Sequence, residues 1–391
     1  MPASEGARSI LLAAALAGAA AAGCAGPSAA PGRGAAGPRG DDLGPLDLEI
    51  VRAASEKHRR YVEALLLCGS PAPADWDKAR QALEVLQPYH VFREDPDLIR
   101  AFRAGDEQAR RELGRRGKIL QALAVLWGRY DKDAWDEARR SLLDEGEPGQ
   151  VLLATTLLQR LLSEQFRVEE VPDAQNPALR QVRDVSVHLR YQIVESGPVA
   201  LETATALADA LAKETPSTPL FRHEDLTQVI LVLIQFGDRG RPKVEELAGH
   251  PNPNVRRVVA RALGEGRDPA GLPLLARMLA GDAEWAVRAG AAQGLGRMAP
   301  ARGAAGRVLV ERLRSERDRT VRLAILEALG ELHYEEAVPD LMAILEVPSV
   351  ELATAAMAAL YRITGEKFTR REEWSRWYAE RYPLWKSRRA K

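Results

Sequence analysis

The sequence predicts an all-α solenoid of stacked helical hairpins, on three observations. First, one pattern returns in NPNVRRVVARALGEG (Asn252–Gly266), AEWAVRAGAAQGLGR (Ala283–Arg297) and DRTVRLAILEALGEL (Asp318–Leu332). Val255, Val287 and Val321 lie 32 and 34 residues apart, and Leu263, Leu295 and Leu329 keep the same offsets. Self-similarity at this period marks paired helices that stack. Second, Val321, Ala324, Ile325, Ala328 and Leu329 fall at offsets 0, 3, 4, 7 and 8, one face of a helix. Third, aromatic residues make up only 5% of the chain, few for a β-rich protein, while Ala, Leu and Arg favour helix. Apolar residues make up 46%, enough for a long core. Lys+Arg and Asp+Glu are both 55, so no global field steers nucleic acid or acidic substrates.

The chain opens with an apolar run, Ile10–Ala22, too short to span a bilayer and right for the apolar region of a signal peptide. The run ends in Ala21-Ala22-Gly23-Cys24. This resembles a bacterial lipobox, with Ala21 where that pattern usually has Leu. The resemblance implies a leader over residues 1–24 and acylation of Cys24; the alternative is ordinary secretion with cleavage after one of the small residues. Residues 25–44, rich in Ala, Gly and Pro, cannot bury a face and read as a tether. The expected localisation is that of an exported, membrane-anchored lipoprotein facing the periplasm or cell envelope. Using Cys24 in this way leaves Cys68 a lone thiol. It is expected to be a small buried hydrophobe at a helix end, against the alternative of a reactive nucleophile.

Residues 45–220 keep the texture of the repeat without its signature. Trp76-Asp77-Lys78-Ala79-Arg80 returns 59 residues on as Trp135-Asp136-Glu137-Ala138-Arg139. Helix, Gly or Pro turn and second helix recur in Leu142–Leu162 and Ile193–Leu211, with Gly146 and Gly197 at the turns. These are expected to be degenerate hairpins of the same superstructure; a separate helical domain is the alternative. The break before the regular repeats is placed at Glu214–Pro219. Trp76 and Trp135 are expected to be packing anchors rather than ligand platforms. The run Val229–Phe236 reads as the most buried helix of the stack, with a buried strand as the alternative.

In residues 221–365 the acidic or polar pairs His250/Asn252, Asp282/Glu284 and Glu316/Asp318 precede each Val by five and three residues. Such residues suit the N-cap and first turn of a helix. Gly264, Gly296 and Gly330 are expected where each helix ends or bends. A fourth, divergent copy begins near Val350. These motifs resemble the HEAT-repeat family, in particular its short phycobilisome lyase-like subtype. The resemblance implies a right-handed, HEAT/armadillo-like superhelix with a concave face available for protein partners. Arg256, Arg288 and Arg322 form a row, one per repeat. They are expected to pair with the acids of the neighbouring repeat, or alternatively to present a basic ladder to a partner.

The tail, residues 366–391, is basic and aromatic. Trp374, Trp377, Tyr378 and Tyr382 share one helical face. This segment is similar to the closing segment of HEAT proteins of planctomycete-type bacteria. The face is expected to seal the last repeat, with Trp374 and Trp377 touching lipid headgroups or an anionic polymer as the alternative. No two of the six histidines stand at metal-ligand spacing, and no P-loop, G-x-S-x-G or H-E-x-x-H occurs. His90 beside Tyr89, Glu94 and Asp95 reads as a solvated loop. No catalytic, cofactor or metal residue is assigned. The expected function is a non-catalytic scaffold or adaptor at the bacterial envelope, holding a protein partner and no nucleic acid. The alternative is a ligand-handling or lyase-like enzyme using the N-terminal half.

Overall fold

A computed structural model describes residues 60–85, 95–128, 130–162, 168–172, 180–213 and 223–389. The leader with Cys24, the tether, the His90 segment and Glu214–Pro219 lie outside the described residues. The chain divides into two compact units, one ending at Thr203 and one beginning at Ala204.

The first unit holds α1 (residues 60–68), α2 (Pro73–Val85), α3 (Asp95–Arg103), α4 (Glu107–Trp127), α5 (Lys132–Leu143), α6 (Glu147–Leu162) and α7 (Ser186–Glu195). It also holds the start of α8 (Pro198–Lys213). Asp106 and Asp131 cap α4 and α5 by accepting backbone N–H bonds in the first turn. Tyr61, Leu65, Cys68, Phe102 and Leu113 are buried in one apolar cluster. Gly146 and Gly197 sit at φ 69° and 92° between α5 and α6 and between α7 and α8. Both hairpin turns therefore stand where the sequence places them, in a conformation that favours glycine. A two-stranded antiparallel ribbon, β1 (Val168–Pro172) with β2 (Arg180–Asp184), interrupts the helices, in the register Glu170↔Val182. The sequence reading passes over it, because two five-residue strands leave almost no periodic signal against helical flanks.

The second unit is a regular all-α repeat. Its A helices are α9 (His223–Gln235), α11 (Pro253–Gly266), α13 (Trp285–Gly296), α15 (Arg319–Glu331) and α17 (Val350–Thr364). Its B helices are α10 (Arg241–Ala248), α12 (Leu272–Gly281), α14 (Arg302–Ser315) and α16 (Val338–Ile344). A three-residue 3-10 turn joins each A helix to its B helix: Gly237–Arg239, Pro269–Gly271, Ala299–Ala301 and Glu335–Ala337. The A helices pack in series from α9 to α17. Val229, Ile230, Val232 and Leu233 are fully buried within α9, so the apolar run is a core helix and not a strand. Among the described residues no helix is long and apolar enough to cross a membrane.

The repeat glycines stand at or near the helix ends, as expected, and do a second job there. Gly264 lies in the last turn of its helix, Gly296 is the final residue of its own and Gly330 is next to last in its own, all without positive φ. A Cβ on Gly264 would stand 2.5 Å from the Cα of Gly294, and one on Gly296 2.9 Å from the Cα of Ala328. These glycines let neighbouring A-helix backbones touch, a role helix-end statistics do not reveal. After the first and third of these helices the chain turns through Arg267 and His333, both left-handed at φ 50° and 49°.

Candidate partner-binding face

The arginine row is tied into the stack at two of its three positions. Arg256 donates through Nε and Nη2 to Asp282 at 2.7 and 2.8 Å, and through Nη1 to the carbonyls of His250 and Pro251. Arg288 repeats this on Glu316 at 3.0 and 3.2 Å, and on the carbonyls of Asp282 and Ala283. Each is a fork-on-carboxylate rung between consecutive repeats. The carboxylates also organise the next turn. Asp282 accepts the Glu284 N–H, and Glu316 accepts those of Arg317 and Asp318. Burial works to raise the Glu316 carboxyl, but bonds from Arg288, from the Asp318 N–H and from Arg312 outweigh it and hold it at about 2. Asp282 is likewise lowered: burial opposes, and Arg256 with the Glu284 N–H prevails. Asn252 and Asp318 cap their helices through the side chain; Glu284 stands at the N-cap without such a bond.

Trp374 and Trp377 are buried in the second unit, at 0% and 3% exposure. They belong to α18 (Arg371–Glu380), with α19 (Tyr382–Arg389) folded beside it. Trp374 meets Phe368 edge-on at 5.0 Å and Trp377 at 5.7 Å, and Trp377 meets Trp385 at 6.1 Å. Arg371 ties α18 to the end of α16 through the Leu345 carbonyl and Glu346. The side chains of Arg256, Arg288, Trp374 and Trp377 are thus largely enclosed.

In the first unit Trp135 is buried under the Arg160 guanidinium at 4.6 Å, and Arg160 donates to the carbonyls of Leu126 and Gly128. Half-buried Trp76 carries Arg110 at 4.0 Å and donates to the Ser70 carbonyl at 2.7 Å. Both tryptophans therefore sit under arginines as packing anchors. The Cys68 thiol is buried, and that burial pushes it up to about 12, so it stays protonated and unreactive at neutral pH. Among the described residues no group of three or more His, Cys, Asp or Glu is placed to hold a metal.

The outward side of the A helices carries a different feature. A depression of about 400 Å³ lies over α11, α13 and α15, lined by Arg257, Arg261, Trp285, Ala289 and Gln293. A second, of about 380 Å³, lies over α13, α15 and α17, lined by Ala289, Gln293, Leu323, Ala355 and Ala358. The two share Ala289, Gln293 and Thr320, so they form one trough across four helices. Its floor is low because its residues are small. Trp285, the first residue of α13, lines it and is 48% exposed. Arg257 beside it is exposed, and no ion pair engages it among the described residues. An exposed Trp next to an available Arg is the composition of an interface anchor. The sequence reading missed Trp285, although a signal was present. It lies two residues before Val287, off the core face, where Pro253 and Arg319 stand in the neighbouring copies.

Comparison with known proteins bears on the second unit. No curated protein matches the chain. A crystal structure of a Kap121p mutant is similar at 13% identity, with 96% of this chain aligned to 47% of that one and a TM-score of 0.37. This chain thus spans about half the length of that protein. A crystal structure of an engineered protein is similar at 15% identity, with 93% and 96% covered and a TM-score of 0.29. The family model described as HEAT repeats matches residues 224–305 and 306–370, over the hairpins described above, so this segment of the chain carries HEAT repeats.

Proposed function

We propose that this protein is a non-catalytic scaffold that holds a protein partner on the outward A-helix face, tethered to the bacterial envelope through acylated Cys24. The observation that carries the reading is the trough over α11, α13, α15 and α17, with Trp285 exposed in its lining. A rigid floor of packed backbones binds without first being ordered, which favours affinity. The short-subtype resemblance concerns the form of the repeat and carries no lyase activity with it. A ligand-handling N-terminal half would need a polar cavity, whereas the described core there includes the apolar cluster around Leu65 and Leu113.

The test is site-specific photo-crosslinking in cells. A benzophenone side chain at Gln293 is expected to give a discrete protein adduct, and one at exposed Arg277 on α12 none. Trp285→Ala is expected to weaken the Gln293 adduct at least tenfold, about 1.4 kcal/mol or more. Equal adducts at both positions, insensitive to Trp285→Ala, would remove the proposal. The anchor has its own test. Radiolabelled palmitate is expected to enter the wild type and not Cys24→Ala; equal labelling would mean that Cys24 is not the acylated residue.

A further inference from the structure

The arginine row has an open member. In Arg256 and Arg288 the Nε–H donates to a carboxylate 26 and 28 residues further on. Arg322 stands at the equivalent place after Val321, yet its Nε is enclosed without an acceptor. None of its side-chain nitrogens has a hydrogen bond or ion pair among the described residues, and its Nη atoms are not enclosed in the same way. The reason is in the sequence. Aligning Val321 with Leu352 sets Asp318 against Ser349, which does cap α17, and Glu316 against Val347. The repeat keeps the cap and has lost the acid.

The surroundings of this turn favour one kind of occupant. Arg317, exposed just before the N-cap of α15, also has no side-chain partner among the described residues. Arg319 pairs with Glu351, which brings the first turns of α15 and α17 side by side. Glu346, the acid of the α16–α17 turn, is engaged by Arg371. Val350, the first residue of α17, is 83% exposed. The edge therefore joins two unpaired guanidinium groups to an exposed apolar side chain. Desolvating an arginine is favourable only when acceptors replace the lost water, and a carboxylate is the acceptor that its two sister arginines use at this edge.

We propose that Arg322 is a receptor for an Asp or Glu side chain of the protein partner, which completes through its Nη edge the rung that Val347 leaves empty. This rests on the scaffold reading above, and adds the chemistry of the partner: an acidic residue beside an apolar one. It is independent of the trough, which takes no part in the contact.

The experiment follows the Arg322 Nε–Hε resonance of the full chain by nuclear magnetic resonance, assigned through Arg322→Lys. The probes are acetyl-Leu-Glu-Leu-amide, its Gln counterpart, and sodium acetate, with sodium chloride at matched ionic strength. The Glu peptide is expected to shift the resonance saturably, at a concentration about tenfold below that needed for acetate, and the Gln peptide not at all. In Val347→Glu the resonance is expected to start displaced and to ignore both ligands, because the missing carboxylate is then internal. Should that variant not fold, the wild-type titrations decide alone. A response no larger than that of Arg257, one reproduced by chloride, or equal affinities for acetate and peptide would overturn the proposal. The Gln293 adduct separates the two readings. If it persists while Arg322 does not respond, this inference fails and the scaffold stands; if it is absent while Arg322 responds, the trough is wrong and the anion receptor remains.

Discussion

Glu316→Gln is expected to cost on the order of 3 kcal/mol, roughly 6–12 °C in the unfolding transition of the repeat unit. The side chain is 2% exposed and takes bonds from two arginines, Arg288 and Arg312. Removing its charge leaves both guanidinium groups facing a neutral amide in a partly buried site, and an uncompensated buried charge is far more costly than a surface pair. The pH dependence gives a second estimate. The carboxyl sits at about 2 in the folded protein against an ordinary 4.5. A folded value below the unfolded one stabilises above the unfolded value and is lost as pH falls through the folded one. The difference corresponds to about 3 kcal/mol at neutral pH, in line with the mutational figure. Thermal melts followed by circular dichroism at pH 6 and pH 3 check both. The gap between wild type and variant is expected to shrink by more than half at pH 3. A gap unchanged by acid would mean that Glu316 acts by shape and not by charge.

Trp374→Ala is expected to be at least as damaging, at about 3–5 kcal/mol. The indole is fully buried, with Phe368 and Trp377 edge-on to it. Truncation leaves a large apolar cavity at the end of the stack, where Arg371 ties α18 to the end of α16. A repeat array needs such an end, because its last hairpin otherwise exposes the face that every other hairpin buries. The melt of the variant is the measurement. A lowered transition supports sealing. An unchanged melt together with lost binding to anionic vesicles would instead assign the tail to a membrane surface.

Much of the fold was legible because repetition multiplies a weak signal. One copy of V-R followed by small residues and Leu-Gly says little; three at 32 and 34 residues fix a helical pair. The hairpin turns at Gly146 and Gly197 were legible for a local reason, since a positive φ selects glycine. Four things were not. Gly264, Gly296 and Gly330 look like helix stops, and only the packed backbones show them to be contact points. The β1–β2 ribbon is too short to carry a period. The row of arginines could be seen, but whether each one meets an acid depends on a residue in the next repeat. Arg288 and Arg322 hold the same place after the Val of their segments, yet Glu316 meets the first and Val347 stands where the second would find its acid. The trough escaped for the same reason, since it is formed by residues spread over four helices, each unremarkable in its own segment.

Hydrogen–deuterium exchange of the full chain, read by mass spectrometry, tests the stacked A helices most directly. Because α11, α13 and α15 are flanked on both sides by other A helices, their amides are expected to exchange the slowest of residues 223–389, and slower than those of α10, α12 and α16. B helices that outlast them, or amides of α13 that exchange as fast as those of α19, would contradict a stack built on contact between successive A helices.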